Sequence, residues 1–358
     1  MPPQKEQLRV LIVRLGAMGD ILHALPAITA LRAAHPEWHY GWAVEPQWRG
    51  LLCAECSTSA SRTPEMPLVD AIHIVPAKQW ARSPLSPATL RDIRRVRREL
   101  RESQYDIAID LQGAVRSAVI ARWARPSRII GEDNPRERTA RWLFTERIPT
   151  RGVHVIEQGI EIADAVVGES LPFTPPLLPA DAPSEHAAAL IPMPFVLLSP
   201  GAGWGAKRWP IDRYATVARV LQRTGYNVAI NAGPGEEPIV AELADLTNNT
   251  VTPLNPDLTE LIAITRRASL VIAGDTGPLH LACALGKPVV GIFGPTDPAR
   301  NGPFGCPFRV LRHPESRRDH TRHAEPEAGL LTITPEAVLD AALDLLHATK
   351  QPSLKGSH

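Results

Sequence analysis

Four stretches of the chain carry residues able to do chemistry, each where an apolar run gives way to a helical pattern. The first is Arg14-Leu15-Gly16-Ala17-Met18-Gly19-Asp20. Its glycines let backbone amides face outward at a helix N-terminus, and Asp20 can either cap that helix or take a proton from a bound hydroxyl. The second, Gly274-Asp275-Thr276-Gly277-Pro278-Leu279-His280, supplies N–H groups, a hydroxyl and an imidazole at the positive end of a helix. That suits a diphosphate; the bland alternative is a capping turn with a core histidine one turn on. The third runs from Ser199 to Pro210 and includes Lys207, whose ammonium can offset phosphate charge in a crevice or simply sit on the surface. In the fourth, Ala232-Gly233-Pro234-Gly235-Glu236-Glu237, the glutamates can favour the helix macrodipole, bind ribose hydroxyls, or do both.

Several familiar chemistries are missing. Gly16 and Gly19 do not make G-x-G-x-x-G, and no acidic residue follows where that fingerprint holds a ribose. Lys207 precedes Arg208 rather than Ser or Thr, so the third loop is not a Walker loop. No Asp-x-Asp pair offers to hold a metal, and with fixed amides, a hydroxyl and Lys207 at hand none is needed, so no cofactor is expected. Cys53 and Cys56 have C-x-x-C spacing, but Cys283 and Cys306 are no second pair at zinc-site spacing. Core or helix-face cysteines in a reduced compartment fit better.

The elements that must position these turns alternate. Strands are expected at Leu8–Arg14, Trp38–Val44, Val69–Val75 and Tyr105–Leu111, with helices at Asp20–Ala34, Pro87–Ser103, Ala114–Ala124 and Val153–Val167. Leu171–Pro194 holds seven prolines and little periodicity, which reads as a linker. Strands then resume at Phe195–Ser199, Asn227–Asn231, Leu270–Ala273 and Val289–Phe293, with helices between them, among them Pro210–Arg223 and Gly277–Leu285. This pattern predicts an α/β chain of two Rossmann-like, doubly wound domains, 1–170 and 195–333, joined by 171–194, with a ligand cleft between them. A closing helix over 334–348 and a disordered tail over 349–358 complete the expectation.

At 358 residues, 44% hydrophobic and 22% charged, the chain can bury two cores. Its net charge of +1 hides an asymmetry: between Lys78 and Arg151 stand 17 Lys or Arg against 9 Asp or Glu. Such a stretch is either a solvated helical face or a surface that receives phosphates, carboxylates or anionic lipid. Nucleic acid is disfavoured because aromatics are sparse there. The N-terminus shows no signal pattern and no apolar run reaches membrane-spanning length, so a cytoplasmic protein that touches a membrane only peripherally is expected.

These pieces, in this order, resemble the ADP-heptose:lipopolysaccharide heptosyltransferases of glycosyltransferase family 9, over the full length. The resemblance rests on Arg14–Asp20 with Ile21–Pro26, on Asp275–His280 with Gly294-Pro295-Thr296-Asp297-Pro298, on Asp110–Gly113 with Arg116-Ser117, and on Lys207–Pro210. It implies a GT-B fold, an inverting and metal-independent glycosyl transfer, an ADP-activated heptose as donor, and a Kdo-bearing inner-core lipid as acceptor at the cytoplasmic face of the inner membrane. Asp20 would be the general base. Lys207 would hold the donor phosphates, Glu236 or its neighbour Glu237 the ribose, and Asp275, Thr276, Gly277, His280 and Gly16 would complete the donor contacts. Lys78 and Arg82, in a stretch thinner in basic residues than the family's acceptor patch, would bind acceptor together with Arg116. An epimerase or hydrolase of the same architecture, or a non-catalytic protein that binds sugar nucleotide or glycolipid, are the competing readings.

Overall fold

The computed structural model describes residues 7–54, 62–316 and 325–350. The chain divides into two compact units, Met1–Asp181 and Ala182–His358, and the division falls inside the proline-rich stretch. The first unit carries strands β1 (Arg9–Val13), β2 (His39–Val44), β3 (Ala71–Ile74), β4 (Ile107–Asp110), β5 (Arg128–Glu132) and β6 (Glu146–Ile148). The second carries β7 (Phe195–Ser199), β8 (Asn227–Asn231), β9 (Thr252–Leu254), β10 (Leu270–Gly274), β11 (Val289–Phe293) and β12 (Phe308–Arg312).

Both sheets are parallel and share one order. The first reads β3-β2-β1-β4-β5-β6, and the second reads β9-β8-β7-β10-β11-β12. In each, the chain reverses its direction of travel across the sheet after the third strand. The switch point therefore lies between β1 and β4 in one unit and between β7 and β10 in the other. Loops leaving the carboxyl ends of two such neighbours diverge to opposite faces and open a crevice for ligand. All four turns singled out in the sequence leave carboxyl ends: one follows β1, one β7, one β10, and the Glu236 turn follows the adjacent β8.

The strands read as apolar runs because both faces are covered. Leu11 and Val13 join a core with Val96, Leu100, Ala118, Ala121, Ala140 and Phe144, while Val10 and Ile12, pointing the other way, are equally buried. The helices Met18–Ala34 and Val155–Val167 pack on each other. In the second unit Val196, Leu198, Val228, Ile230 and Ile272 share a core with Tyr214, Leu221 and the closing helix through Val338 and Leu345.

Some elements differ from expectation. Residues 182–189, inside the expected linker, form a helix that packs on Leu258–Arg267, and Glu185 pairs with Arg266. Its alanines favour a helix that its flanking prolines had masked. Four edge or near-edge strands (β5, β6, β9 and β12) were not anticipated: β5, buried at its centre, has only Ile129-Ile130 between charged ends, and the other three are short or half-exposed. The closing helix is Pro335–Lys350, longer than expected; residues 351–358 of the expected tail lie outside the described residues, as does Cys56 of the C-x-x-C pair.

Candidate active site

In the first unit Asp20 is not the N-cap. The helix starts earlier, at Met18, with Ala17 in the capping position. Alanine has no side chain to cap with, so Asp20 at the third helical position reaches back and accepts the Ala17 N–H at 3.0 Å. Its other oxygen pairs with Arg14 Nη2 at 2.9 Å, and the side chain remains 44% exposed. A carboxylate has about four lone-pair sites, so both oxygens keep capacity for an incoming hydroxyl.

Arg14 is fixed from behind. Its Nη1 donates to the Leu111 carbonyl, and its own carbonyl accepts the Trp42 indole N–H at 3.0 Å. Leu15 N–H donates to Gln112 Oε1 at 2.8 Å, which ties the turn after β1 to the turn after β4 across the switch point. That second turn is organised by Asp110, which accepts from Gln112 N, Gly113 N and Ser117 Oγ, each at 2.8 Å. Burial pushes the Asp110 carboxyl up to about 6, against those three hydrogen bonds. Gly113, at φ +64°, makes the reversal that lets both amides face inward. Asp110 is thus a buried scaffold for the loop that leads to Arg116, which is exposed at the start of the helix Val115–Trp123.

Gly16 and Lys78 are linked through one cluster. A Cβ on Gly16 would lie 2.6 Å from Trp48 Nε1, so only glycine admits the indole there. Gln47, its amide oxygen turned inward, accepts from Trp48 Nε1 at 3.2 Å and Lys78 Nζ at 3.1 Å. Buried Glu45 accepts the Lys78 N–H at 2.9 Å and starts the helix Ala77–Arg82 at that point. Arg82 closes the same short helix, exposed.

In the second unit the turn after β10 meets the loop after β7. Lys207 Nζ lies 2.5 Å from Asp275 Oδ2 and 3.2 Å from the Asp275 carbonyl, and it stands 4.5 Å from the centre of the Trp204 ring. His280 Nε2 lies 3.1 Å from Asp275 Oδ1. All three side chains are nearly buried. Burial alone would raise the Asp275 carboxyl; His280, by hydrogen bond and charge, and the Lys207 ammonium override it and hold it well below the usual carboxylate range. The helix Gly277–Ala284 begins with Thr276 in the capping position and no side-chain cap bond, which leaves its positive end to a ligand.

Glu236 and Glu237 separate clearly. Glu236 Oε2 accepts the Gly233 N–H at 2.8 Å, and a Cβ on Gly201 would lie 2.0 Å from its carboxyl carbon. The loop after β7 therefore needs glycine where the Glu236 carboxylate lies against it. Glu237 is exposed in the first helical turn.

Three residues were missed as site candidates. Ser199 Oγ, Asn231 Oδ1 and Thr296 Oγ1 are buried with no hydrogen-bond partner among the described residues. They end β7, end β8 and follow β11, all at the carboxyl edge, and the register that pairs Leu198 with Ile230 brings Ser199 beside Asn231. Orphaned buried polar atoms are costly and mark a place where a ligand or water completes the bonding. The signal for Ser199 and Asn231 was a polar residue closing an apolar run; Thr296, three residues beyond β11, carried no such signal. Among the described residues no group of three or more His, Cys, Asp or Glu could hold a metal, and no helix is long and apolar enough to cross a membrane.

Two parallel six-stranded sheets of this order, covered by helices, match the GT-B architecture of solved heptosyltransferases. The pattern of glycosyltransferase family 9 (heptosyltransferase) matches residues 93–330, more than half of the chain, and the chain belongs to that family. It is 28% identical to lipopolysaccharide heptosyltransferase 1 of Pseudomonas aeruginosa over 310 residues, 83% of this chain and 82% of that protein. With lipopolysaccharide heptosyltransferase 1 of Escherichia coli K12 it shares 26% over 346 residues, 93% and 98% of the two chains. The solved structure of E. coli heptosyltransferase WaaC with ADP-2-deoxy-2-fluoro heptose superposes with a TM-score of 0.75 at 26% identity, covering 93% of this chain and 98% of that one. The protein is therefore a transferase, and the epimerase, hydrolase and bare-binder readings are not favoured.

Proposed function

We propose that this chain moves a heptose from ADP-heptose to the Kdo/inner-core region of lipopolysaccharide, with inversion at the anomeric carbon, while associated peripherally with the cytoplasmic face of the inner membrane. The observation that carries the donor half is the buried Lys207–Asp275–His280 cluster at the uncapped start of the helix Gly277–Ala284. A departing diphosphate gains negative charge in the transition state, so an ammonium and helix N–H groups already in place stabilise it more than the ground state. In this reading Lys207, Thr276, Gly277 and His280 hold the diphosphate and sugar, Asp275 orients the Lys207 ammonium and the His280 ring, Glu236 binds the ribose, and Gly16 completes the donor contacts. Asp20 removes the proton from the acceptor hydroxyl as its oxygen bonds to the anomeric carbon and the ADP oxygen leaves. A single base acting on the acceptor hydroxyl, with direct displacement of the diphosphate, gives inversion. Lys78, Arg82 and Arg116 receive the anionic acceptor.

A donor screen with Kdo-lipid acceptor tests this: ADP-heptose should turn over in preference to UDP- and GDP-sugars, and only with acceptor present. Donor consumption at the same rate without acceptor would sink the transferase reading for this donor.

Two substitutions resolve the finer assignments. Glu236→Gln should raise donor KM about tenfold or more, the worth of a charge-assisted hydrogen bond, while Glu237→Gln stays within about twofold. Equal effects would remove Glu236 from the ribose. Reversing charge at Lys78 and Arg82 together should raise acceptor KM about tenfold with donor KM little changed. A parallel rise in both constants would take the pair out of the acceptor site.

A further inference from the structure

Of the 17 basic residues in 78–151, 12 stand on four elements of the first unit. The helices Ala77–Arg82, Pro87–Glu102 and Val115–Trp123 and the short turn Arg138–Leu143 all bury residues in one core cluster, against one face of the sheet. Their outer sides therefore form one surface. On the longest helix the acids are drawn inward or into pairs: Asp92 accepts the Trp80 indole N–H at 2.8 Å, and Glu99 bonds the His73 ring at 2.6 Å. Arg91, Arg94 and Arg97 are left on the exposed side, Arg98 stands there 4.0 Å from the exposed Glu102, and Arg122 and Arg138 are exposed on the neighbouring elements.

The same surface exposes apolar groups that packing within the unit does not explain. Trp142 is 77% exposed, Leu85 is 85% exposed and Leu90 is 39% exposed. A bare solvated Arg face has no use for an open tryptophan. Arginines around an indole and leucines match a bilayer surface, where Trp seats at headgroup level and basic side chains meet anionic lipid. The uneven charge adds direction. The stretch has an excess of 8 basic residues while the whole chain nets +1, so the charge elsewhere is negative and this face turns toward an anionic plane.

We propose that this face of the first unit is its membrane-docking surface, with Trp142 and Leu85 inserted at headgroup depth and Arg91, Arg94, Arg97 and Arg98 on anionic lipid. The proposal rests on the reading of a lipid-borne acceptor and specifies the surface that reading leaves open.

The test is co-sedimentation of the full chain with phosphatidylcholine vesicles containing about a third phosphatidylglycerol, and with phosphatidylcholine alone, at rising salt. The unaltered chain should bind the anionic vesicles, bind neutral ones weakly, and dissociate as salt screens the charges. Arg94→Glu/Arg97→Glu/Arg98→Glu should lower the anionic partition by about tenfold or more, and Trp142→Ala, which leaves the charge intact, by severalfold. Transfer to a water-soluble Kdo saccharide should stay within about twofold in both variants, which reports an intact fold. Unchanged vesicle binding in both variants would overturn the proposal, as would equal affinity for neutral vesicles. Tighter binding to a random DNA duplex than to the vesicles, lost in the triple variant, would also overturn it. The soluble-acceptor arm judges the transferase reading and the vesicle arm judges the surface, so the two fail separately.

Discussion

Asp20→Asn should lower the transfer rate by about two to four orders of magnitude while ADP and ADP-heptose bind as before. The substitution keeps shape and removes only the proton-accepting charge. Asn can still accept the Ala17 N–H through its amide oxygen, so the first turn of the helix Met18–Ala34 is retained. What is lost structurally is the pair with Arg14, a partly exposed contact worth at most about 1 kcal/mol. Single-turnover transfer and calorimetric donor binding, measured on the same preparation, separate the two effects. Near-normal transfer would show that another group takes the proton. A donor affinity that falls in step with the rate would make Asp20 a donor contact instead.

The strand–turn–helix junctions were legible because each combines a strong period change with glycines at a turn, and both signals are local. The turn after β1 and the turn after β10 lie where the sequence put them, at the carboxyl ends of strands that flank the switch points. What surrounds each turn was not legible, because it comes from distant chain. The Arg14–Leu111 and Leu15–Gln112 bonds span 97 residues, and Lys207 lies 68 residues from Asp275. The Asp275–His280 contact spans five positions, a spacing that does not face on a helix; it forms only because Asp275 stands in the turn before the helix begins. The orphaned Ser199 and Asn231 required the strand register, and the common face of the arginines required knowing which helices share a side of the sheet.

Asp275→Asn should destabilise the second unit by about 3 kcal/mol in the absence of nucleotide, and ADP should restore part of that loss. The carboxylate is nearly buried between an ammonium at 2.5 Å and an imidazole nitrogen at 3.1 Å. Removing one member of such a group leaves the other charge desolvated without a partner, the costly way to break a buried pair. A diphosphate seated at the same helix start would supply the missing negative charge to Lys207. ADP should therefore stabilise the variant more than it stabilises the unaltered chain, by linkage. The pH dependence has a definite sign. Burial opposes ionisation of Asp275, but His280 and Lys207 prevail and hold its folded pKa below the unfolded value of 3.8. The folded state thus binds fewer protons, and the stabilisation is complete above the unfolded pKa and lost as pH falls through the folded one. The difference between variant and unaltered chain should be full at neutral pH and narrow below about pH 4. Native-state hydrogen exchange of the β7 and β10 amides, with and without ADP across that range, measures it directly. Equal stabilisation of both chains by ADP would mean that the nucleotide phosphates do not meet Lys207, and the donor site would have to lie elsewhere.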